Sequence, residues 1–316
     1  MRGRWLAVWL CLLVAVAACA VPHRKDLDVV TKKAVTLSEA SNVISRFNRA
    51  IDDAETSADA GGLGEIEGGS LLDIDMSAFF ARQQLGVRTS TTRLDDASTI
   101  VSGAFERYPL WFVAVGDVYA QREKVAGVFV RNSSTAPWRL ELAPRLATST
   151  PFPSIRLDGD GSAVLLSPTE RRGLPVSPQD LVYRYAQVLA DPRAEYADDF
   201  VQDAFLGSVR ELQEAQREEE EVAFTQTWSA APVSYALRMK AGGALVFATL
   251  ERTDNYRVLG KHSLRWQGSE AAAYFPRPVR SAATLTYAHQ LLIMLPARGK
   301  PLLIGQYGGL VDATGH

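Results

Sequence analysis

Tyr287 and His289 stand two residues apart in the run "ATLTYAHQLLIML", 283–295. On a strand that spacing puts both side chains on one face, beside Leu285, Leu291 and Ile293. A phenol and an imidazole among aliphatic groups can hydrogen-bond a buried ligand or exchange a proton with it. The plainer account, a core histidine satisfied by backbone or tyrosine, is preferred. Other chemistry is sparse. His23, His262, His289 and His316 show no HxxH or HExxH spacing, so no metal is expected. In "DGDGSAVLLSPTE", Asp158, Asp160 and Ser162 alternate like a calcium loop, but Thr169 holds the twelfth place and the flanks read as strands, so a β-turn is expected. There is no GxSxG, "ARGKPLL" lacks the rest of a phosphate loop, and "GGLGEIEGG" follows no strand; no cofactor is expected. Asp73 with Asp75, and Asp198 with Asp199, fall near expected helix starts, where carboxylates suit the helix dipole.

Cys19 is the remaining residue whose position invites chemistry. Arg2 and Arg4 precede an uncharged run from Trp5 to Val16, and small residues lead to the cysteine. Twelve helical residues rise about 18 Å, against roughly 30 Å of hydrocarbon, so residues 1–18 read as an export signal rather than a span. Val16-Ala17-Ala18-Cys19 resembles the lipobox of bacterial lipoproteins. That resemblance implies a diacylglyceryl group on the Cys19 sulfur and cleavage just before it. Cys11 lies in the leader, so the mature chain would keep no other thiol and no disulfide. Two or more acyl chains anchor stably where one is marginal. Loss of Arg2 and Arg4 with the leader takes the formal charge from −2 to −4, and no basic stripe suggests nucleic acid.

Positioning elements repeat along the chain. Residues 19–35 read as the lipidated N-terminus and a tether. Thr36 and Glu39 have capping-box spacing, and Val43, Ile44, Phe47, Ala50 and Ile51 form one helical face. A second helix is expected over 71–84, then strands at 110–115, 125–130 and 138–142, and a hairpin at 154–166. Ser177, Pro178 and Asp180 start another helix. Leu181, Val182, Tyr185, Val188 and Leu189 repeat the first apolar face 138 residues later. More helix is expected over 197–220, then strands at 233–239, 244–252, 282–295 and 300–306. Helices followed by antiparallel strands, twice, predict an α+β chain of two modules, 36–170 and 171–316. The acidic run "REEEEVAF", 217–224, reads as a solvated helix end.

With the lipobox, the segments "EGGSLL" (67–72), "YPLWFVA" (108–114), "PWRLELAP" (137–144) and "LIGQYGGLVDATG" (303–315) resemble a family of uncharacterised actinobacterial lipoproteins with tandem NTF2-like, or cystatin-like, cone modules. The resemblance implies two such cones and lends no catalytic residues. The expectation is a lipoprotein on the extracytoplasmic face of the cell membrane, held to the bilayer by its acylated N-terminus, with a non-enzymatic binding or scaffolding role and a cell-envelope protein as partner. The alternative is an isomerase, dehydratase or hydrolase using a cone pocket near Tyr287 and His289.

Overall fold

The computed structural model describes residues 31–86, 92–118 and 123–316. The leader, Cys19 and most of the tether, and with them the acylation expectation, lie outside the described residues. Residues Lys32–His316 form one compact unit.

Three of the four long helices begin where a side chain satisfies free N–H groups. Helix α1 (Leu37–Ser57) has the expected capping box: Glu39 N–H donates to Thr36 Oγ1 at 3.2 Å, and Thr36 N–H donates to Glu39 Oε2 at 2.8 Å. It buries Val43, Ile44, Phe47 and Ile51. Helix α2 (Gly69–Leu85) starts without a side-chain cap and ends at Gly86. Helix α3 (Pro178–Ala190) starts at Ser177 with Pro178 in its first turn, and buries Leu181, Val182, Tyr185 and Leu189, the matching face of the second half. Helix α4 (Ala204–Arg217) is capped by Asp203, whose other carboxylate oxygen accepts the Tyr185 hydroxyl at 2.9 Å. The helix expected over 197–220 is therefore shorter, because a separate 3-10 turn takes 197–199.

Ten strands form one antiparallel sheet: β1 (Asp95–Ser102), β2 (Leu110–Val118), β3 (Glu123–Arg131), β4 (Arg139–Leu142), β5 (Arg145–Ala147), β6 (Val222–Ala230), β7 (Tyr235–Arg238), β8 (Ala244–Val258), β9 (Ala282–Leu295) and β10 (Leu302–Gly315). The order is β1-β2-β3-β5-β10-β9-β8-β6, with β4 on β3 and β7 on β8. It is a palindrome: each half is a helix pair followed by a meander, and the two meanders join by their last strands, where Gln306 pairs with Arg145. The α+β class and antiparallel sheet agree with the sequence reading. Strands β8 and β10 run well past their expected ends, and β1 and β6 were not foreseen.

The sheet curls. In a flat sheet β2 and β7 would lie about 29 Å apart, yet the rings of Trp111 and Tyr235 are 5.4 Å apart. One core therefore joins Val113, Val128 and Leu146 with Leu237, Phe247 and Leu292. Separate cores lie under α1 and under α3 with α4. The segment 148–177 adds bridges to both arms, at Gly103–Ala163 and Leu165–Leu237. A short helix α5 (Ala271–Tyr274) covers a fourth cluster around Tyr256 and Phe275.

Candidate functional site

Tyr287 and His289 do share a face of β9, and neither lines the clefts described below. The His289 ring lies 5.1 Å from Trp228 of β6, 5.2 Å from Phe205 of α4 and 6.4 Å from Tyr287. Behind it, a Cβ on Gly308 would come within 2.5 Å of Nδ1. Among the described residues Nε2 has no hydrogen-bond partner, and Gln306 Nε2 is 3.5 Å from Nδ1. Burial, with the charge of Arg252 added, lowers the imidazole pKa to about 3. It is a neutral core group, a poor base and no acid near pH 7. The Arg252 guanidinium lies 3.8 Å over the Tyr287 ring and is held by Asp254 at 3.2 Å. This is a filled aromatic and cationic stack.

The more unusual chemistry lies at the junction of the two meanders, under α2, which packs on β4, β9 and β10. Residues 66–68 run beside β4: Leu140 N–H donates to Ile66 O at 2.8 Å and Gly68 N–H donates to Leu140 O at 3.0 Å. That lodges Glu67, fully buried, below the start of the helix. Two turns later Asp75, 1 % exposed, projects from α2 to the same place. Tyr307 of β10 donates its hydroxyl to Asp75 Oδ1 at 2.9 Å, and the Arg145 guanidinium of β5 lies 4.4 Å over the Tyr307 ring.

Both Glu67 oxygens and Asp75 Oδ2 lack any donor among the described residues. Two bare carboxylates cannot satisfy each other, but one proton between them makes the hydrogen bond. Burial, then the Asp75 charge, holds Glu67 well above the usual carboxyl range, so it carries that proton. Burial raises Asp75 to about 6, opposed by Tyr307, by the hydrogen bond with Glu67 and by Arg145.

Gln290 of β9, fully buried, ties the surroundings together. Its Oε1 accepts from Ala143 N–H at 2.7 Å, while Nε2 donates to Ser70 Oγ at 2.9 Å and to Glu141 O at 3.1 Å. Beside it the Tyr235 hydroxyl donates to Glu141 Oε2 at 2.6 Å. A cleft of about 150 Å³ lined by Ser70, Glu141, Tyr235 and Thr249 opens there. That is water scale, below the several hundred Å³ of a small-molecule site. A larger cleft of about 310 Å³, with Leu181, Phe200, Arg184 and Lys300 on its walls, lies beside α3, away from the carboxyl pair.

Asp158 accepts backbone N–H groups of Asp160 and Ser162 at 3.0 and 2.8 Å, as the expected turn requires. Asp198 and Asp199 sit in the 3-10 turn, not at the start of α4. Glu218 to Glu221 are exposed. Among the described residues no three His, Cys, Asp or Glu gather as metal ligands, and no helix is long and apolar enough to cross a membrane.

Sequence reasoning missed the carboxyl pair as chemistry. Asp75 was assigned to the helix dipole, although it lies four residues from both Leu71 and Phe79, on the buried face. That misplaced charge was the available signal. Glu67 and Tyr307 belong to segments noted only for resemblance, "EGGSLL" and "LIGQYGG", and the fold brings those segments together with "WRLELAP".

Neither the curated proteins nor the solved structures include a match to this chain. Residues 31–315 match the model of a family described as a domain of unknown function, DUF8094, and the chain belongs to that family.

Proposed function

We propose that this is an exported lipoprotein, anchored through Cys19 on the extracytoplasmic face of the cell membrane, whose folded domain binds or scaffolds another cell-envelope component without catalysis. We read each half as an NTF2-like module fused to its neighbour. The palindromic strand order, with a helix pair before each meander, supports that duplication.

The observation that carries the non-enzymatic reading is the burial of the three perturbed groups that could serve as acid or base near neutral pH. His289, Glu67 and Asp75 are each less than a tenth exposed. None of them lines the seam cleft or the cleft beside α3. A catalytic acid or base must reach its substrate. The isomerase, dehydratase or hydrolase alternative at Tyr287 and His289 finds neither residue on the walls of those clefts. The anchor rests on the Val16-Ala17-Ala18-Cys19 pattern after a short apolar run.

The test is twofold. Cys19→Ala should release the chain from membranes or leave it unprocessed, and the wild-type N-terminal peptide should show an acyl mass. A processed Cys19→Ala chain that stayed on the membrane would remove the anchor. Crosslinking in cells followed by mass spectrometry should recover a recurrent envelope partner. Turnover of a small molecule that is lost in His289→Ala, with the fold intact, would reverse the non-enzymatic reading.

A further inference from the structure

Two hairpin tips stand side by side at one end of the C-terminal meander. The β7–β8 turn spans Met239–Gly243 and the β9–β10 turn spans Pro296–Pro301; they are neighbours because Ala244 pairs with both Arg238 and Leu295. Their approach is fixed by Gly243, at φ +87°, where a Cβ would meet Leu295 O at 2.2 Å. A side chain there would force the tips apart.

The tips carry Lys240, Arg298 and Lys300, all exposed, and no acid. Between them runs a groove of about 610 Å³ walled by Met239, Met294, Pro296, Ala297 and Pro153. Asp198 and Asp199 share the α3 cleft with Lys300, and Asp199 is held by Arg184 at 3.5 Å. The far end of β8, about 46 Å away along fifteen strand residues, is different. There Glu218–Glu221 are mixed with Arg257, Lys261 and Arg280. Net positive charge is thus concentrated at the apolar, glycine-turned end.

We propose that this end of the domain docks on an anionic phospholipid surface, with Lys240, Arg298 and Lys300 meeting headgroup phosphates and the methionine–proline groove facing the glycerol level. Long cationic stems beside an apolar floor suit that boundary. The tips present none of the tryptophan, tyrosine or phenylalanine anchors that dominate protein interfaces. The proposal rests on the lipid-anchor reading for its setting. The thirteen steps from Cys19 to Lys32 span at most about 45 Å, which keeps the domain within reach of the bilayer. Three cations near an anionic surface are worth on the order of a hundredfold in partitioning.

The experiment is hydrogen–deuterium exchange on the full, processed chain with vesicles of phosphatidylcholine, with or without phosphatidylglycerol. Amides of 240–243 and 297–300 should exchange several-fold more slowly on the anionic vesicles. Raised salt should remove that protection. The combined Lys240→Glu, Arg298→Glu and Lys300→Glu variant should lose it as well, with the rest of the domain unchanged. Equal exchange at the tips on both vesicles overturns the proposal, as does protection confined to another face. The anchor is read separately from the mass of the N-terminal peptide. An unacylated chain whose tips are still protected on anionic vesicles leaves the docking face standing and removes only the anchor.

Discussion

Tyr307 in the last strand donates its hydroxyl to Asp75 in the second helix at 2.9 Å, and so closes the only donor contact to a buried two-carboxyl cluster among the described residues. The contact spans 232 residues of sequence. It fastens α2, which belongs to the first half, onto the final strand of the second.

Tyr307→Phe keeps the ring under Arg145 and removes only that donor. An ionised, buried Asp75 then loses a charge-assisted hydrogen bond, at a cost of about 1.5–3 kcal/mol. Urea unfolding at pH 8 should report that loss, and a much smaller one at pH 5, where Asp75 is protonated. Equal losses at the two pH values would mean that the hydroxyl acts by packing alone.

Acid should stabilise this cluster. Glu67 and Asp75 both bind protons more tightly folded than unfolded, so their contribution is complete below the ordinary carboxyl range. It falls as pH rises from about 4 through about 6, where Asp75 ionises beside its neighbour. Raising a carboxyl from 3.8 to about 6 withholds on the order of 3 kcal/mol once it is charged. Burial raises Asp254 and Glu270 in the same direction. Melting temperature should therefore be higher at pH 5 than at pH 8. Glu67→Gln, which supplies an N–H donor without a titrating proton, should narrow that gap. An unchanged gap in the variant would show that the pair does not share a proton.

Gln290→Leu keeps the volume and deletes three hydrogen bonds at the junction. Ala143 N–H is left without its acceptor in a buried site, so a loss of about 2–4 kcal/mol is expected. Amide exchange should rise at 140–146 and in β10 before it rises in β8. Uniform destabilisation would count against a local role.

Gly308→Ala drives a methyl into His289 Nδ1 and Ala288 O, at 2.5 and 2.8 Å from the ideal Cβ position. Overpacking of that kind costs about 1–3 kcal/mol. Adding His289→Ala should recover part of the loss, while the backbone contact keeps the rest. Thermal melts of both singles and the double variant give the coupling directly.

Local signals carried much of the fold. Caps at Thr36 and Ser177 and the repeated apolar faces of α1 and α3 were legible because each depends on neighbours within one turn. Strand β9 was legible to its ends, since its run is long and apolar. Strand β6 was hidden: "VAFTQTWSA" alternates on a sheet face only half covered, directly after an acidic run. The continuous sheet could not be read at all, because the Gln306–Arg145 pairing joins residues 161 positions apart without a local pattern. Likewise the Tyr287–His289 face was found, but whether it lined a pocket or a core depended on Trp228, Phe205 and Gly308. The carboxyl pair was half visible: Asp75 sat on an apolar stripe, whereas nothing near Glu67 foretold its neighbours.

The palindromic strand order has a consequence for mass action. A single half, free in solution, would expose its last strand and need a second copy to cover it, so its assembly would weaken on dilution. Here the segment 148–177 links the two halves, so β10 covers β5 from the same chain and the junction persists at any concentration. The two halves also differ: Glu67, Asp75 and Tyr307 form one asymmetric cluster that two identical copies would have to build twice.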